Sequence, residues 1–257
     1  MGWLSRWFRP GADPAKSADL EPLDLSAFRY DFHSHLVPGV DDGAPDLAAS
    51  LEMIDGLVAL GYRGAVTTPH IMVGTYPNDR STLEPPFDAL RQAVAERHPD
   101  FQLALGAEYF LDASVLSAIR DGENLLAPGG RLLFELAFGA PPEEGLLKEF
   151  LFEAQVRGFQ PVMAHIERYP YWHGELHRFG DLADQGVWLQ VNAASLAGAY
   201  GPEVQQAAET CIDNGWVSLL GTDAHGIRHI DALAASRVRP SLHKLVHSQR
   251  NHLLFEP

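Results

Sequence analysis

The chain is predicted to be a single α/β domain whose parallel strands curl into a barrel, and three observations predict it. Short apolar runs alternate with longer stretches of helical periodicity, several of those stretches stop at a glycine, and candidate metal ligands follow one strand end after another. Such alternation implies crossover connections and parallel pairing. A length of 257 residues suffices for one domain of this kind with a substantial core.

Taken in order, strands are expected at 29–33, 64–68, 101–107, 131–135, 161–165, 187–192 and 216–221, each a short run rich in apolar residues. Helices are expected at 47–60, 86–98, 113–120, 145–157, 176–185 and 204–214, where apolar residues recur at helical spacing. Gly61, Gly158, Gly186 and Gly215 follow four of them as stops. Residues 1–27 lack periodicity beyond their first aromatic residues and form an expected extension to a domain at 28–257. Within it Trp3, Leu4, Trp7 and Phe8 suit either packing against the domain or a short amphipathic contact with a membrane or partner.

A formal charge of -15 argues against a nucleic-acid surface, which needs clustered Lys and Arg, and invites bound cations instead. No apolar run is long enough to span a bilayer, and the first residues lack a signal-peptide core, so a soluble, cytoplasmic protein is expected. The single cysteine, Cys211, excludes an intramolecular disulfide and falls in an apolar-periodic stretch, as an inert buried thiol would.

The densest chemistry lies in Tyr-Asp-Phe-His33-Ser-His35-Leu-Val-Pro-Gly-Val-Asp41-Asp42-Gly43. On a strand His33 and His35 project to the same side, so two imidazoles can chelate one ion. The Pro-Gly and Asp-Asp-Gly turn signals let Asp41 or Asp42 fold back toward them. Alone, a His-x-His is more often an ordinary hydrogen-bonded pair. The later strand ends change the balance: His70 follows the second, Glu108 the third, Glu135 closes the fourth, His165 the fifth, and Asp223 with His225 follow the seventh. Parallel barrels gather those ends on one rim, where their active sites lie. A nitrogen and carboxylate set without thiolates suits Mn²⁺, Fe²⁺ or Zn²⁺.

Together these segments resemble the PHP (polymerase and histidinol phosphatase) superfamily of metallophosphoesterases. The closer similarity is to the bacterial manganese-dependent protein-tyrosine phosphatases of capsular and exopolysaccharide biosynthesis. It rests on Asp-Phe-His-Ser-His-Leu-Val-Pro-Gly-Val-Asp-Asp-Gly, Thr-Thr-Pro-His-Ile-Met-Val-Gly-Thr-Tyr, His-Ile-Glu-Arg-Tyr-Pro and Gly-Thr-Asp-Ala-His, and covers roughly residues 28–250. The resemblance implies a distorted seven-stranded (β/α)7 TIM-like barrel, the PHP fold. It also implies three divalent ions, foremost Mn²⁺, held by His33, His35, Asp42, His70, Glu108, Glu135, His165, Asp223 and His225. Glu108 would bridge two ions, and Asp42, His70 and His225 would hold the most peripheral one.

The expected reaction is attack of a metal-bound hydroxide on phosphotyrosine without a phosphoenzyme. Cys211 has no Cys-x5-Arg phosphate loop, which agrees. Arg168, three residues past His165, is expected to fork onto phosphate oxygens; Arg228 is a second candidate, and Asp41 a supporting or proton-transfer group. Tyr76, Tyr109, Tyr169, Tyr171 and Trp172 could flank the substrate ring, and Asn192 and Ser195 could line the pocket. His98, His173, His177, His229, His243, His247 and His252 are assigned solvent or hydrogen-bonding roles. The implied partner is the phosphotyrosine tail of a polysaccharide-export kinase. A small-molecule phosphatase of the histidinol-phosphate type and a non-catalytic scaffold are the alternatives.

Overall fold

The computed structural model describes residues 20–143 and 145–255; the aromatic cluster Trp3, Leu4, Trp7 and Phe8 lies outside the described residues. Among the described residues the nine strand segments are β1 (Tyr30–Asp31), β2 (Gly64–Thr67), β3 (His70–Ile71), β4 (Gln102–Leu105), β5 (Glu108–Phe110), β6 (Arg131–Glu135), β7 (Gln160–Met163), β8 (Trp188–Asn192) and β9 (Leu219–Gly221). Every pairing between them is parallel, in two sheets ordered β1-β2-β4 and β3-β5-β6-β7-β8-β9. The outcome is a curled, half-barrel α/β fold of TIM-like character.

The second and third predicted strands, 64–68 and 101–107, appear as β2 and β4, and each is followed by a further short segment that was not expected, β3 and β5. Pro69 separates β2 from β3, and Gly106 with Ala107 separates β4 from β5. Proline has no N–H to give a ladder, and glycine weakens a strand interior. The halves stay in register, because Gly106 N donates to Thr67 O at 2.8 Å and Glu108 N to Pro69 O at 3.0 Å. Each break turns the next residues, His70 and Glu108, onto a new path at the rim. A parallel bridge between Ser34 and Ala224 ties the end of the first path to the segment after β9. Asp223 N to His33 O at 2.7 Å and His35 N to Ala224 O at 2.9 Å flank it.

The helices are α1 (Leu47–Ala59), α2 (Arg80–Arg97), α3 (Ala113–Asp121), α4 (Leu146–Val156), α5 (His177–Asp184), α6 (Ala193–Leu196), α7 (Pro202–Asp213), α8 (Ile227–Ser236) and α9 (Pro240–Leu245). Helix α2 starts earlier than the expected position 86. Asp79 and Thr82 form a reciprocal capping box that fixes its first turn, and Pro85 and Pro86 lie inside the helix. Helices α6, α8 and α9 were not anticipated by periodicity; α6 and α9 are too short to show it. The four expected glycine stops all have positive φ, as left-handed helix ends require.

Side-chain alternation divides the core in two. On β6 Leu132 and Phe134 join the large cluster beneath the helices, whereas Leu133 joins a small cluster with Tyr30, Phe32, Val66, Val162, Ala164 and Leu219. Glu135 falls on the Leu133 side by the same alternation, and so do Gln190 and Asn192 relative to Trp188 on β8. The curl is therefore apolar at its base and polar toward its carboxyl rim. Phe134 is fully buried, and truncation to Ala there would cost about 3–5 kcal/mol.

Candidate metal centre

Glu108 stands at the middle of the rim, fully buried at the start of β5. Its Oε2 lies 3.1 Å from His33 Nε2, 3.3 Å from His35 Nε2 and 3.3 Å from His70 Nδ1, while Oε1 lies 2.9 Å from His165 Nε2. One carboxylate thus faces four imidazoles brought from three places along the chain, two of them from the end of the first strand. Asp223 Oδ1 is 3.4 Å from His33 Nε2, 3.5 Å from His35 Nε2 and 3.4 Å from His225 Nδ1. Asp42, the more exposed acid, has Oδ1 3.6 Å from His70 Nε2 and 3.5 Å from His225 Nε2.

Three groups of ligand atoms emerge, each with all its atoms within 4.8 Å of one another: His33, His35, Glu108 and Asp223; His70, Glu108 and Glu135; and His35, Asp42, His70 and His225. Glu108 belongs to two groups. His165 touches the second group through Glu108 and lies 3.9 Å from Glu135 Oε2. All nine predicted ligands are therefore brought together.

Two features of this cluster fit divalent ions. His70 Nδ1 and Glu135 Oε1 lie 3.3 Å apart, yet both are buried without a hydrogen-bond partner. Buried polar atoms without a partner need an explanation, and an ion bound between these two would supply one. The protonation balance is the second. Burial alone would lower the His33 imidazole, but the Glu108 and Asp223 carboxylates outweigh it and raise it to about 9. Burial likewise opposes ionisation of Glu108 and Asp223, yet the surrounding imidazoles hold both well below the usual carboxylate range. Protons on the histidines balance buried negative charge here, and metal ions can take over that balance.

A ring of partners aims these ligands. His35 Nδ1 meets Asp41 Oδ2 at 2.8 Å, and Asp41 also accepts from His70 N and Gly43 N, each at 3.0 Å. Asp41 is thus buried behind the histidines, with Asp42 beside it on the ligand side. Gly43 is required at this turn, since a Cβ there would sit 2.4 Å from the His35 carbonyl oxygen.

Gln190 was not anticipated. Its Oε1 accepts from His165 N at 2.9 Å and faces His33 Nδ1 at 3.1 Å, while its Nε2 donates to Asn192 Oδ1 at 2.7 Å. That chain keeps a proton on His33 Nδ1, so Nε2, which faces Glu108 and Asp223, is the nitrogen that would give up its proton to a metal ion. Asn192 donates to Asp223 Oδ2 at 2.7 Å, as its expected place in the pocket suggested. Ser195 instead bonds the buried Glu167 Oε1 at 2.5 Å. Asp31, also unanticipated and fully buried, accepts from Thr222 N at 2.9 Å and Thr222 Oγ1 at 2.7 Å, binding the first strand to the last. The polar alternation of Gln190 and Asn192 on one face of a strand was the available signal for that pair; none pointed to Asp31.

His165 and Asp223 both have left-handed backbone, with φ of 31° and 49°. Non-glycine residues seldom adopt it, and such strain concentrates at functional sites. Arg168 Nη1 donates to Asp223 Oδ2 at 2.9 Å, and its guanidinium lies 4.6 Å from the Phe138 ring and 4.5 Å from that of Tyr200. Arg228 is exposed at the start of α8.

Of the aromatic candidates, Tyr109, Tyr169 and Trp172 are buried in the core, and the hydroxyls of Tyr109 and Tyr169 accept from Leu126 N and Leu136 N. Tyr76 stacks on His70 with centroids 5.2 Å apart. His229, assigned a solvent or hydrogen-bonding role, has a hydrogen-bonding one behind the site: its Nδ1 accepts from His225 N at 3.3 Å.

The fold and rim together define a class: TIM-like α/β proteins with a histidine- and carboxylate-rich candidate metal centre at the carboxyl ends of their strands. The chain belongs to the CpsB/CapC family of capsular polysaccharide synthesis, which it matches over residues 29–247. It is 26% identical over 199 residues to the tyrosine-protein phosphatase YwqE of Bacillus subtilis, covering 77% of this chain and 78% of that one. It is 25% identical over 202 residues to the tyrosine-protein phosphatase CpsB of Streptococcus pneumoniae, covering 77% and 83%. Among solved structures, one from work on these two proteins, described as unique metal-dependent tyrosine phosphatases, shares the fold with a TM-score of 0.75. Its identity is 24%, over 88% of this chain and 93% of that one. The histidinol phosphate phosphatase of Lactococcus lactis shares it more distantly, with a TM-score of 0.52 and 16% identity over 82% and 93%.

Proposed function

We propose that the protein is a metal-dependent protein-tyrosine phosphatase acting in capsular or exopolysaccharide biosynthesis. The observation that carries this reading is the convergence of His33, His35, His70 and His165 on Glu108, in a chain whose family relatives are named tyrosine-protein phosphatases. The nine strand segments then count as seven barrel paths, two of them broken, within one domain spanning 28–257.

Three divalent ions, foremost Mn²⁺, would occupy the three ligand groups, with His165 completing the second. When bound they would supply Lewis acidity toward the phosphate oxygens and a water activated as nucleophile at neutral pH. The chain's own residues do the remaining work. Arg168 has five N–H donors, of which the Asp223 contact uses one, and its held guanidinium would take phosphate oxygens. In the overall reaction water adds to phosphorus, the bond from phosphorus to the tyrosyl oxygen breaks, and that oxygen leaves with a proton. A phenol of pKa about 10 is a good enough leaving group to need little acid assistance. Asp41 keeps the His35 Nδ1 proton in place, and Arg228 would assist substrate binding from the outer rim. The substrate would be a phosphotyrosine segment, foremost the tail of a polysaccharide-export tyrosine kinase, reached from the cytoplasm.

Parallel assays of metal-replete protein with a phosphotyrosine peptide and with histidinol phosphate test this. Preferential turnover of the peptide is expected. Preference for histidinol phosphate would assign the small-molecule activity, and hydrolysis of neither would leave a scaffold.

A further inference from the structure

Phe138 stands on the loop after β6, with 39% of its surface exposed beside a candidate metal ligand. Exposure of one phenyl ring is unremarkable in itself, but this ring is held. The backbone before it is pinned on two sides: Leu136 N donates to the Tyr169 hydroxyl and the Tyr171 hydroxyl donates to Ala137 O, both at 3.0 Å. The ring lies 5.3 Å from the His165 ring and 5.7 Å from that of Tyr169, nearly parallel to the latter at 24°. The Arg168 guanidinium lies over it at 4.6 Å and is fixed in turn by Tyr200 and Asp223. An aromatic surface and a cation for phosphate oxygens are therefore combined in one rigid unit beside the ligand cluster.

We infer that Phe138 is a specificity-determining residue that packs against the aryl ring of the leaving group and so favours aryl over alkyl phosphomonoesters. The inference rests on the phosphatase reading above and adds to it the residue that recognises the ring. Phosphotyrosine places a planar ring directly on the ester oxygen. A phosphate held at Arg168 brings that ring to the Phe138 side of the site, where offset or edge-on stacking can hold it. A ring pair of this kind contributes about a threefold to tenfold effect on binding. The other rim aromatics are less suited, since Tyr169 is fully buried and Tyr76 is stacked on His70.

The test compares the full chain, metal-replete, with Phe138→Ala, Phe138→Leu and Phe138→Trp. Steady-state hydrolysis of a phosphotyrosine peptide is measured alongside competitive inhibition by inorganic phosphate, which has no ring. The Ala and Leu variants should raise KM for the peptide about threefold to tenfold, with kcat and metal content little changed, and Trp should restore it. Phosphate inhibition should move less than about twofold, because Tyr200 and Asp223 still hold Arg168. Weakening of phosphate inhibition in step with KM would show that Phe138 acts only through Arg168, and an unchanged KM would show that it does not meet the ring; either overturns the inference alone. An unsubstituted protein without phosphotyrosine turnover overturns the functional reading, and this inference with it.

Discussion

Asp41 and Asp42 are chemically identical neighbours, and only their surroundings separate them. Asp41 is buried against His35 Nδ1, while Asp42 faces His70 and His225. Asp41→Asn should keep the fold but weaken metal affinity about 10- to 100-fold, as loss of an outer partner of a ligating histidine typically does. Metal titration followed by activity checks it, and most turnover should return at saturating metal. His33 gives the pH dependence. Its imidazole is raised to about 9, so protons compete with metal below that pH and apparent affinity should rise from pH 6 to pH 8.5. A gain of at least about tenfold in a calorimetric titration is expected; a flat profile would contradict the balance of imidazole protons against carboxylates. Cys211 is buried and burial pushes its thiol up to about 12. A thiol reagent should therefore label it only after denaturation.

At the scale of elements, the turn at 38–43 is as important as any strand. A Cβ on Gly43 would meet the His35 Cβ at 2.3 Å and its carbonyl oxygen at 2.4 Å, so backbone must move. Gly43→Ala should destabilise the protein by about 1–3 kcal/mol and lower metal content, whereas Gly174→Ala, where no atom lies within 4 Å, should be nearly neutral. Thermal melts of both variants with elemental analysis would show it. Strand positions were legible because apolar alternation survives in short runs, and ligand positions because they follow those runs. The breaks at Pro69 and Gly106 were not, since where a strand changes neighbours depends on chains far away in sequence. The start of α2 was misplaced because Pro85 and Pro86 resemble a first turn, while the capping pair Asp79 and Thr82 lies upstream. Gln190 and Phe138 escaped notice for a related reason: their roles come from His33 and Arg168, which only the fold brings near.

For the molecule as a whole, the net charge of -15 includes acids concentrated at one rim, and bound cations would relieve part of their repulsion. Stripping metal with a chelator should lower the melting temperature. At free metal near 100 times Kd, linkage contributes about 2.7 kcal/mol, or roughly 5–10 °C for a domain of this size. No helix among the described residues is long and apolar enough to cross a membrane. The central claim is that strand ends from across the chain assemble one multinuclear centre that hydrolyses phosphotyrosine. Its most direct test is titration of metal-stripped protein with Mn²⁺ while following release of phosphate from a phosphotyrosine peptide. Activity is expected to be absent without metal and to rise to a plateau as about three ions bind per chain, one for each ligand group. Full turnover in stripped protein, or tight binding of Mn²⁺ with no hydrolysis of the peptide, would contradict it.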